Sequence, residues 1–476
     1  MKELLLKYKV IGFALFQFIS MSVSAQVDHY WSQQFGAVST LTGGAMIAGA
    51  RDNSAAFYNP GGLAYIEFPN LSVDGNIYKL DKIKLSDGGG TGINLNSAQL
   101  SIYPSILAGM INYVKVPGLK LSWSLLTRNF NNVMMSTRYA AEGGTSALPG
   151  SDQYLGELDY VNQLNEQWFG LCLSYRISKN LGIGITNFGT YRGETSSITN
   201  NSRAVSVKDT NASMSLSSST QTMKYVTVGT LFKLGIDWEL KHWRIGFTIT
   251  TPSILLYGTG STRREESYYS SGTGNSGRQP YMIRAEDKSA DAKYKHPWSF
   301  GLGVEFRTGK TRIALSAEYF LAIKSYNIMA PDATPMIYPA SLKDSAQMQN
   351  ELKHYLFYST ASRPVFNAGI GLDQMLGKSF SLLLGARTDF SSYTPTEDSR
   401  VMTHGTGQWD LYYVSTGLSY HRPKQIITLG FTYGFSLHKQ IDPIAIITPG
   451  ESPEVRSGVF AQSFGIVLGY TYFFPR

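Results

Sequence analysis

The chain has a single cysteine, Cys172, among 476 residues. One thiol builds neither a disulfide framework nor a multi-cysteine metal site. It sits in an apolar alternating run and reads as a small buried or lipid-facing residue. Beyond residue 25 no run approaches the roughly 18 consecutive apolar residues of a membrane helix, and amphipathic helical periodicity is scarce. Charged residues make up only 16% and the net charge is +8 without a Lys/Arg stripe, so nucleic acid is not an expected partner. The seven histidines form no HExxH or His/Cys pairing, so no metal or cofactor is expected. Gly272–Gly277 (GTGNSG) lacks the Lys-Ser/Thr end of a phosphate loop and reads as a flexible loop. No compact Ser/His/Asp arrangement appears, so an enzyme is not expected; a barrel hydrolase is the remote alternative.

What is abundant is Gly (47), Tyr (30) and Phe (24). Residues 1–25 read as a secretory signal: a basic start (Lys2, Lys7, Lys9), a short apolar run Val10–Ile19, and Val23-Ser24-Ala25 before the cleavage point. The remaining chain is mildly basic, which suits contact with outer-membrane lipids and lipopolysaccharide. Export, no membrane helix and aromatic-rich alternation together predict an all-β transmembrane antiparallel barrel in the outer membrane of a Gram-negative cell.

Period-2 alternation bounded by turn residues gives fourteen candidate strands. They fall at 71–80, 97–113, 119–138, 163–177, 181–199, 221–238, 242–257, 291–307, 311–327, 363–376, 379–393, 408–421, 425–438 and 459–474. Connectors alternate short and long. The short ones carry turn chemistry such as Pro117-Gly118, Lys179-Asn180 and Gly309-Lys310, as periplasmic turns do. In the last strand Phe460, Phe464, Ile466, Leu468, Tyr470, Tyr472 and Phe474 share a lipid-facing parity. Ala461, Ser463, Gly465, Gly469 and Thr471 face the lumen. Arg263-Arg264-Glu265-Glu266 reads as a solvated loop cluster, and Lys241, His242 and Arg244 as head-group contacts at a periplasmic turn.

A barrel of this size leaves a lumen to be filled or gated. Residues 26–69 precede the 70–476 barrel and read as an N-terminal hatch. Within it, Gly43–Ala64 is rich in small residues that let backbone approach backbone. Asp52-Asn53-Ser54 can cap a short helical turn, and Asn59-Pro60-Gly61-Gly62 breaks it rigidly. The third strand holds an irregularity. Leu119, Leu121, Trp123 and Leu125 set an outward phase that would put Thr127, Asn129 and Asn131 in lipid. A bulge near Arg128, Asn129, Asn131 and Asn132 would flip the faces; the alternative is that the strand has left the membrane there.

These residues resemble the FadL-type outer-membrane transporters of long-chain fatty acids and other hydrophobic compounds. AGARDNSAAFYNPGGLA is similar to the family's N-terminal signature at Ala50, Asp52, Ser54, Ala55, Tyr58, Asn59, Pro60, Gly62, Leu63 and Ala64. Gly61 stands where the family usually has Ala. ITTPSILLYGTG (Ile249–Gly260) is a weaker similarity, and Pro475-Arg476 depart from the usual terminal aromatic that the barrel assembly machinery reads. The resemblance implies passive transport of a hydrophobic small molecule by lumenal binding, hatch movement and lateral exit at a kinked third strand. A ligand carboxylate would need a cation; Arg128, Lys233, Arg244 and Arg387 are the candidates. The alternative is a barrel that docks secreted proteins through aromatic loop tips such as Tyr268-Tyr269 or Tyr355–Tyr358.

Overall fold

A computed structural model describes residues 29–50, 52–111, 116–142, 152–207, 213–271, 280–331, 352–396, 402, 407–449 and 454–474. The signal segment and the GTGNSG stretch lie outside them. Fourteen antiparallel strands close into a barrel. We number them β1 (Asn70–Ser86), β2 (Leu95–Ile111), β3 (Leu119–Glu142), β4 (Asp152–Arg176), β5 (Leu181–Ser206), β6 (Met214–Glu239) and β7 (Trp243–Thr250 and Ile254–Ser270). There follow β8 (Tyr281–Asp291 and Ser299–Thr308), β9 (Thr311–Phe320), β10 (Val365–Leu376), β11 (Phe380–Asp389), β12 (Leu411–Arg422), β13 (Gln425–Ser436) and β14 (Ser457–Phe473). Closure is the ladder of β1 on β14, from Asn70 opposite Phe473 to Ser86 opposite Gly458.

The faces alternate as the residue pattern requires. On β14, Phe460, Phe464, Leu468 and Tyr470 are exposed, whereas Ala461, Ser463 and Val467 are buried. The tight turns after β2, β9's predecessor and β10 use glycines in the left-handed region, Gly118, Gly309 and Gly377. Strand lengths differ from expectation. β4, β5 and β6 hold 25, 26 and 26 residues. At about 3.3 Å per residue they overshoot an apolar band about 25 Å tall. Apolar alternation marks only the stretch in lipid. Above it the strands continue on polar cross-strand pairs such as Ser197 with Thr222 (3.1 Å) and Thr199 with Thr220 (3.4 Å). β7 and β8 extend the same way. Arg263-Arg264-Glu265-Glu266 is therefore strand and not loop, with Arg263–Glu265 and Arg264–Glu266 ion pairs of 2.8 Å. Tyr268, Tyr355 and Tyr358 are buried rather than loop tips, while Tyr269 is exposed.

Two seams lack a continuous ladder. β2 pairs with β3 only from Ile106–Ile111 to Leu121–Leu126. Pro104 lies just past that point. Its carbonyl accepts from Thr127 Oγ1 (2.7 Å), so its donorless nitrogen also faces β3 and cannot extend the pairing. β3 keeps its ladder with β4 but slips by one residue between Thr127 and Asn129. Ser122, Ser124 and Leu126 are buried below the slip, and Val133 and Met135 above it, so the faces exchange at Arg128. The second seam separates β7 from β8. Their ladders cover Trp243–Thr250 with Ser299–Phe306 and Thr259–Tyr268 with Tyr281–Asp291, and stop in between.

The N-terminal segment that the sequence suggests as a hatch packs inside the barrel against its wall. It comprises α1 (Ala37–Leu41), α2 (Ala55–Tyr58) and a 3-10 turn Pro60–Tyr65. It rests on lumenal glycines of the wall, which admit backbone where a side chain would collide. A Cβ at Gly184 would lie 2.5 Å from the Pro60 carbonyl, and one at Gly61 2.8 Å from the Gly182 oxygen. Gly235, Gly246, Gly303, Gly371, Gly385 and Gly469 meet the hatch in the same way around the ring.

Candidate functional site

The site begins with the hatch motif. Asn59 is fully buried and spans hatch and wall. Its Nδ2 donates to Ile47 O (2.7 Å) and to Ile236 O on β6 (2.9 Å), and its Oδ1 accepts from Gly61 N (3.0 Å). Pro60 opens the 3-10 turn, and Gly61 and Gly62 follow, buried against β5, β6 and the ion pair of Asp237. Asp52 and Ser54 do not cap α2 through its backbone as expected. The Ser54 amide and hydroxyl both donate to the Asp52 carboxylate instead, and Ser54 Oγ meets Ser39 Oγ at 3.2 Å. This Asx turn satisfies the segment locally. Burial pushes the Asp52 carboxyl above the ordinary carboxylate value, with the Ser54 bonds opposing. Asn53 ties the turn to the wall by donating to Ala108 O at 2.9 Å.

Above α2, Phe57 meets Phe35, Trp168 and Phe188 at centroid separations of 4.4, 6.3 and 6.3 Å. Two of the expected cations converge here. The Arg128 guanidinium lies 5.3 Å from the Trp168 ring and 5.8 Å from the Phe57 ring; Lys233 Nζ is 4.8 Å from Phe57. Lys233 is paired with Glu318 at 3.6 Å. Arg128 is buried, donates to Tyr30 O (2.7 Å), and has no ion pair among the described residues. The other two candidates sit elsewhere. Arg244 is locked to Asp237 (2.6 Å) beneath the hatch, not exposed at the turn as a head-group contact. Arg387 donates to the Trp31 and Ser32 carbonyls and stacks on Tyr413 at 3.8 Å, clamping the start of the described hatch.

Beside Trp168 is a polar network that residue patterns did not point to. Trp168 Nε1 and His296 Nε2 both reach Glu166 Oε1 (2.7 and 2.9 Å), and Arg192 bridges Glu166 (2.7 Å) and Glu194 (3.2 Å). Its members come from β4, β5 and the interruption in β8, so sequence spacing carries no trace of it. Pro104, a proline inside a strand pattern, was the available signal for the β2/β3 seam. Of the kink residues, Arg128 and Asn129 are buried at the slip. Asn131 and Asn132 are half-buried, and Asn132 Nδ2 crosses the seam to Gln99 Oε1 at 3.3 Å. Higher up, Ile441, Ile444 and Ile447 fold in against Leu85, Leu95, Leu158 and Tyr160.

No family model and no curated protein matches the sequence. Among solved structures, the chain is similar to a FadL homologue of Pseudomonas aeruginosa, with a TM-score of 0.57 at 13% identity over 94% of this chain and 100% of that one. It is also similar to the toluene transporter TodX of P. putida (0.55, 12%, 93% and 99%) and the toluene transporter TbuX of Ralstonia pickettii (0.54, 12%, 93% and 99%). The shared feature is the barrel fold over nearly the whole chain.

Proposed function

We propose that this chain is a passive outer-membrane channel for hydrophobic small molecules, long-chain fatty acids or similar compounds among them. The compound rests against Phe57, Trp168 and Phe188, and a carboxylate, where present, pairs with Arg128. A shift of the hatch about Asn59-Pro60 frees the path, and the compound leaves sideways between β2 and β3. The structural neighbours named as toluene transporters support this reading. The observation that carries it is the β2/β3 seam: its ladder stops at Leu126, beside the buried Arg128 slip and the aromatic face of the hatch. Exit into the bilayer is downhill, since each CH₂ buried gains roughly 0.8 kcal/mol. No energy source is required.

The test is to close the seam. Gln99→Cys with Asn132→Cys, joined by a short reducible bis-thiol reagent, ties the two strands where Asn132 now reaches Gln99. The joined pair is expected to lose uptake of a radiolabelled long-chain carboxylic acid and to regain it on reduction. Uptake by the joined pair at the unjoined rate would remove lateral exit at this seam.

A further inference from the structure

We propose that the barrel has a second side opening, between β7 and β8, through which a single-chain carboxylate amphiphile passes between the lumen and the outer leaflet. This inference rests on the transport reading above. Residues Thr251–Gly258 of β7 face Ala292–Trp298 of β8 without a ladder. Pro252 supplies no donor there, and the register against β6 skips Leu256, which bulges out.

The register also says which way the side chains point. Leu255 lies opposite Gly229, on the parity of the buried Tyr225, Leu231 and Lys233, and so faces the lumen. Ile254 and Tyr257 lie opposite Thr230 and Val228, on the lipid parity. Yet all four of Ile254, Leu255, Leu256 and Tyr257 are exposed, at 57, 43, 66 and 58%. One short apolar stretch is open on both faces, so it joins the lipid belt to the interior.

Across the opening runs the segment Ala292–Trp298, turned inward as a strap. Tyr294 lies 3.8 Å from the Arg192 guanidinium, and His296 bonds Glu166. Its middle is joined to β7 only through Ser253 Oγ, which donates to Tyr294 O (3.4 Å) and accepts from His296 N (3.0 Å). Gly258 and Gly260 leave room for Ala292 and Met329 at the upper end. Ala292 N also donates to Gly258 O (3.3 Å), and Lys293 N and Lys295 N donate away from β7, to Ile328 O (2.9 Å) and Tyr326 Oη (3.1 Å). Held to β7 by three hydrogen bonds where a ladder would supply more, the strap separates from that wall more easily than a paired strand.

The outer side of the strap defines the ligand. Lys293 and Lys295 are exposed and have no carboxylate partner among the described residues; Lys295 Nζ lies 4.8 Å from the Tyr326 ring. Carrying the ladder upward from Thr250 opposite Ser299 sets Lys295 and Lys293 level with Ile254 and Leu256, a few residues above the exposed Trp298, an aromatic of the interfacial kind. The lysines thus stand above Trp298 for a head group, with the exposed Phe247, Phe300 and Leu302 below for an alkyl chain. The inner side continues to the candidate site, because His296 meets Trp168 at 5.4 Å and Trp168 carries Arg128.

The experiment uses cells making the full chain and two probes, a fluorescent long-chain carboxylic acid and its methyl ester. Ser253→Cys with Lys295→Cys is joined by a short reducible bis-thiol reagent, which pins the strap to β7. Joining is expected to cut acid uptake at least fivefold, and reduction to restore it. Separately, Lys293→Gln with Lys295→Gln is expected to raise the acid's half-saturation about tenfold and leave the ester unchanged. Joined protein that carries the acid at the unjoined rate, or equal behaviour of acid and ester in the glutamine pair, would overturn the side opening while leaving transport intact. If the unjoined protein carries neither probe, the transport reading fails and this inference with it.

Discussion

Asn59→Ala is the sharpest single test of the hatch. The side chain is fully buried and makes three hydrogen bonds, at 2.7, 2.9 and 3.0 Å. Each such bond contributes about 0.5–1.5 kcal/mol, and a buried partner left unpaired costs about 1–3 kcal/mol. Truncation strands the Ile47 and Ile236 carbonyls and the Gly61 amide. Two of these bonds close the hatch on itself and one reaches the wall; opening that unfolds the hatch breaks all three, so, allowing some relaxation, the docked state should weaken by about 3 kcal/mol, a factor on the order of 100 in the docked-to-open ratio. The barrel ladder itself is untouched. Amide hydrogen exchange of hatch peptides in detergent reads the ratio directly, and heat-modifiable gel mobility verifies that the barrel is intact. Hatch exchange should accelerate by roughly 100-fold while β9–β14 peptides stay protected. Acceleration of less than threefold would refute the argument that Asn59 pins the hatch to β6.

Other predictions follow from the same geometry. Gly184→Leu should displace Pro60, because its Cβ would sit 2.5 Å from the Pro60 carbonyl; planar-bilayer conductance should rise, and a silent bilayer would count against a glycine seat for the hatch. Arg128→Met should weaken binding of a long-chain carboxylic acid by about 1–3 kcal/mol but not that of its methyl ester, measured by fluorescence displacement; equal loss of both would assign Arg128 to packing alone. Pro104→Val supplies a donor facing β3, so the β2/β3 ladder should extend and uptake should slow, with unchanged uptake speaking against this seam. Asp52→Asn should not loosen the hatch. The docked Asp52 carboxyl is raised, so the docked state binds the proton more tightly than the free one. Docking of the native chain is therefore strongest at acid pH and weakens as pH rises past the ordinary value of 3.8 toward the raised one; the Asn variant should show a smaller change by the same exchange measurement, because the Asp74 carboxyl that accepts from Ala37 N (3.2 Å) remains.

The lipid-facing wall was legible because each strand must show an apolar face at every second residue, as Phe460 to Tyr470 do. Lengths above the membrane were not, because Ser197, Thr199 and their partners are wet on one face and polar on both. The small residues of Gly43–Ala50 announced close backbone packing, but the glycines that receive them are spread from Gly182 to Gly469. Only the closed barrel brings these into one ring. The phase conflict in β3 showed in the sequence, and the slip lies at Arg128. Pro104, on the other edge of that seam, is informative only once β2 is known to border β3. The expected strand 242–257 runs through Pro252 without a break, whereas β7 is interrupted there and continues to Ser270. Among the four cations, inward direction was legible but partner was not. Glu318 and the Trp31 carbonyl reach Lys233 and Arg387 across long sequence separations, and Asp237 reaches Arg244 across the β6/β7 turn.

The measurement that bears most directly on the central claim is mass spectrometry of small molecules extracted from the detergent-purified full chain, with an unrelated barrel purified in parallel. A hydrophobic compound retained near one-to-one, absent from the control and lost in a Trp168→Ala variant, is the result this account predicts. The same background lipids in both barrels, unchanged by that variant, would contradict it and turn attention to secreted protein partners.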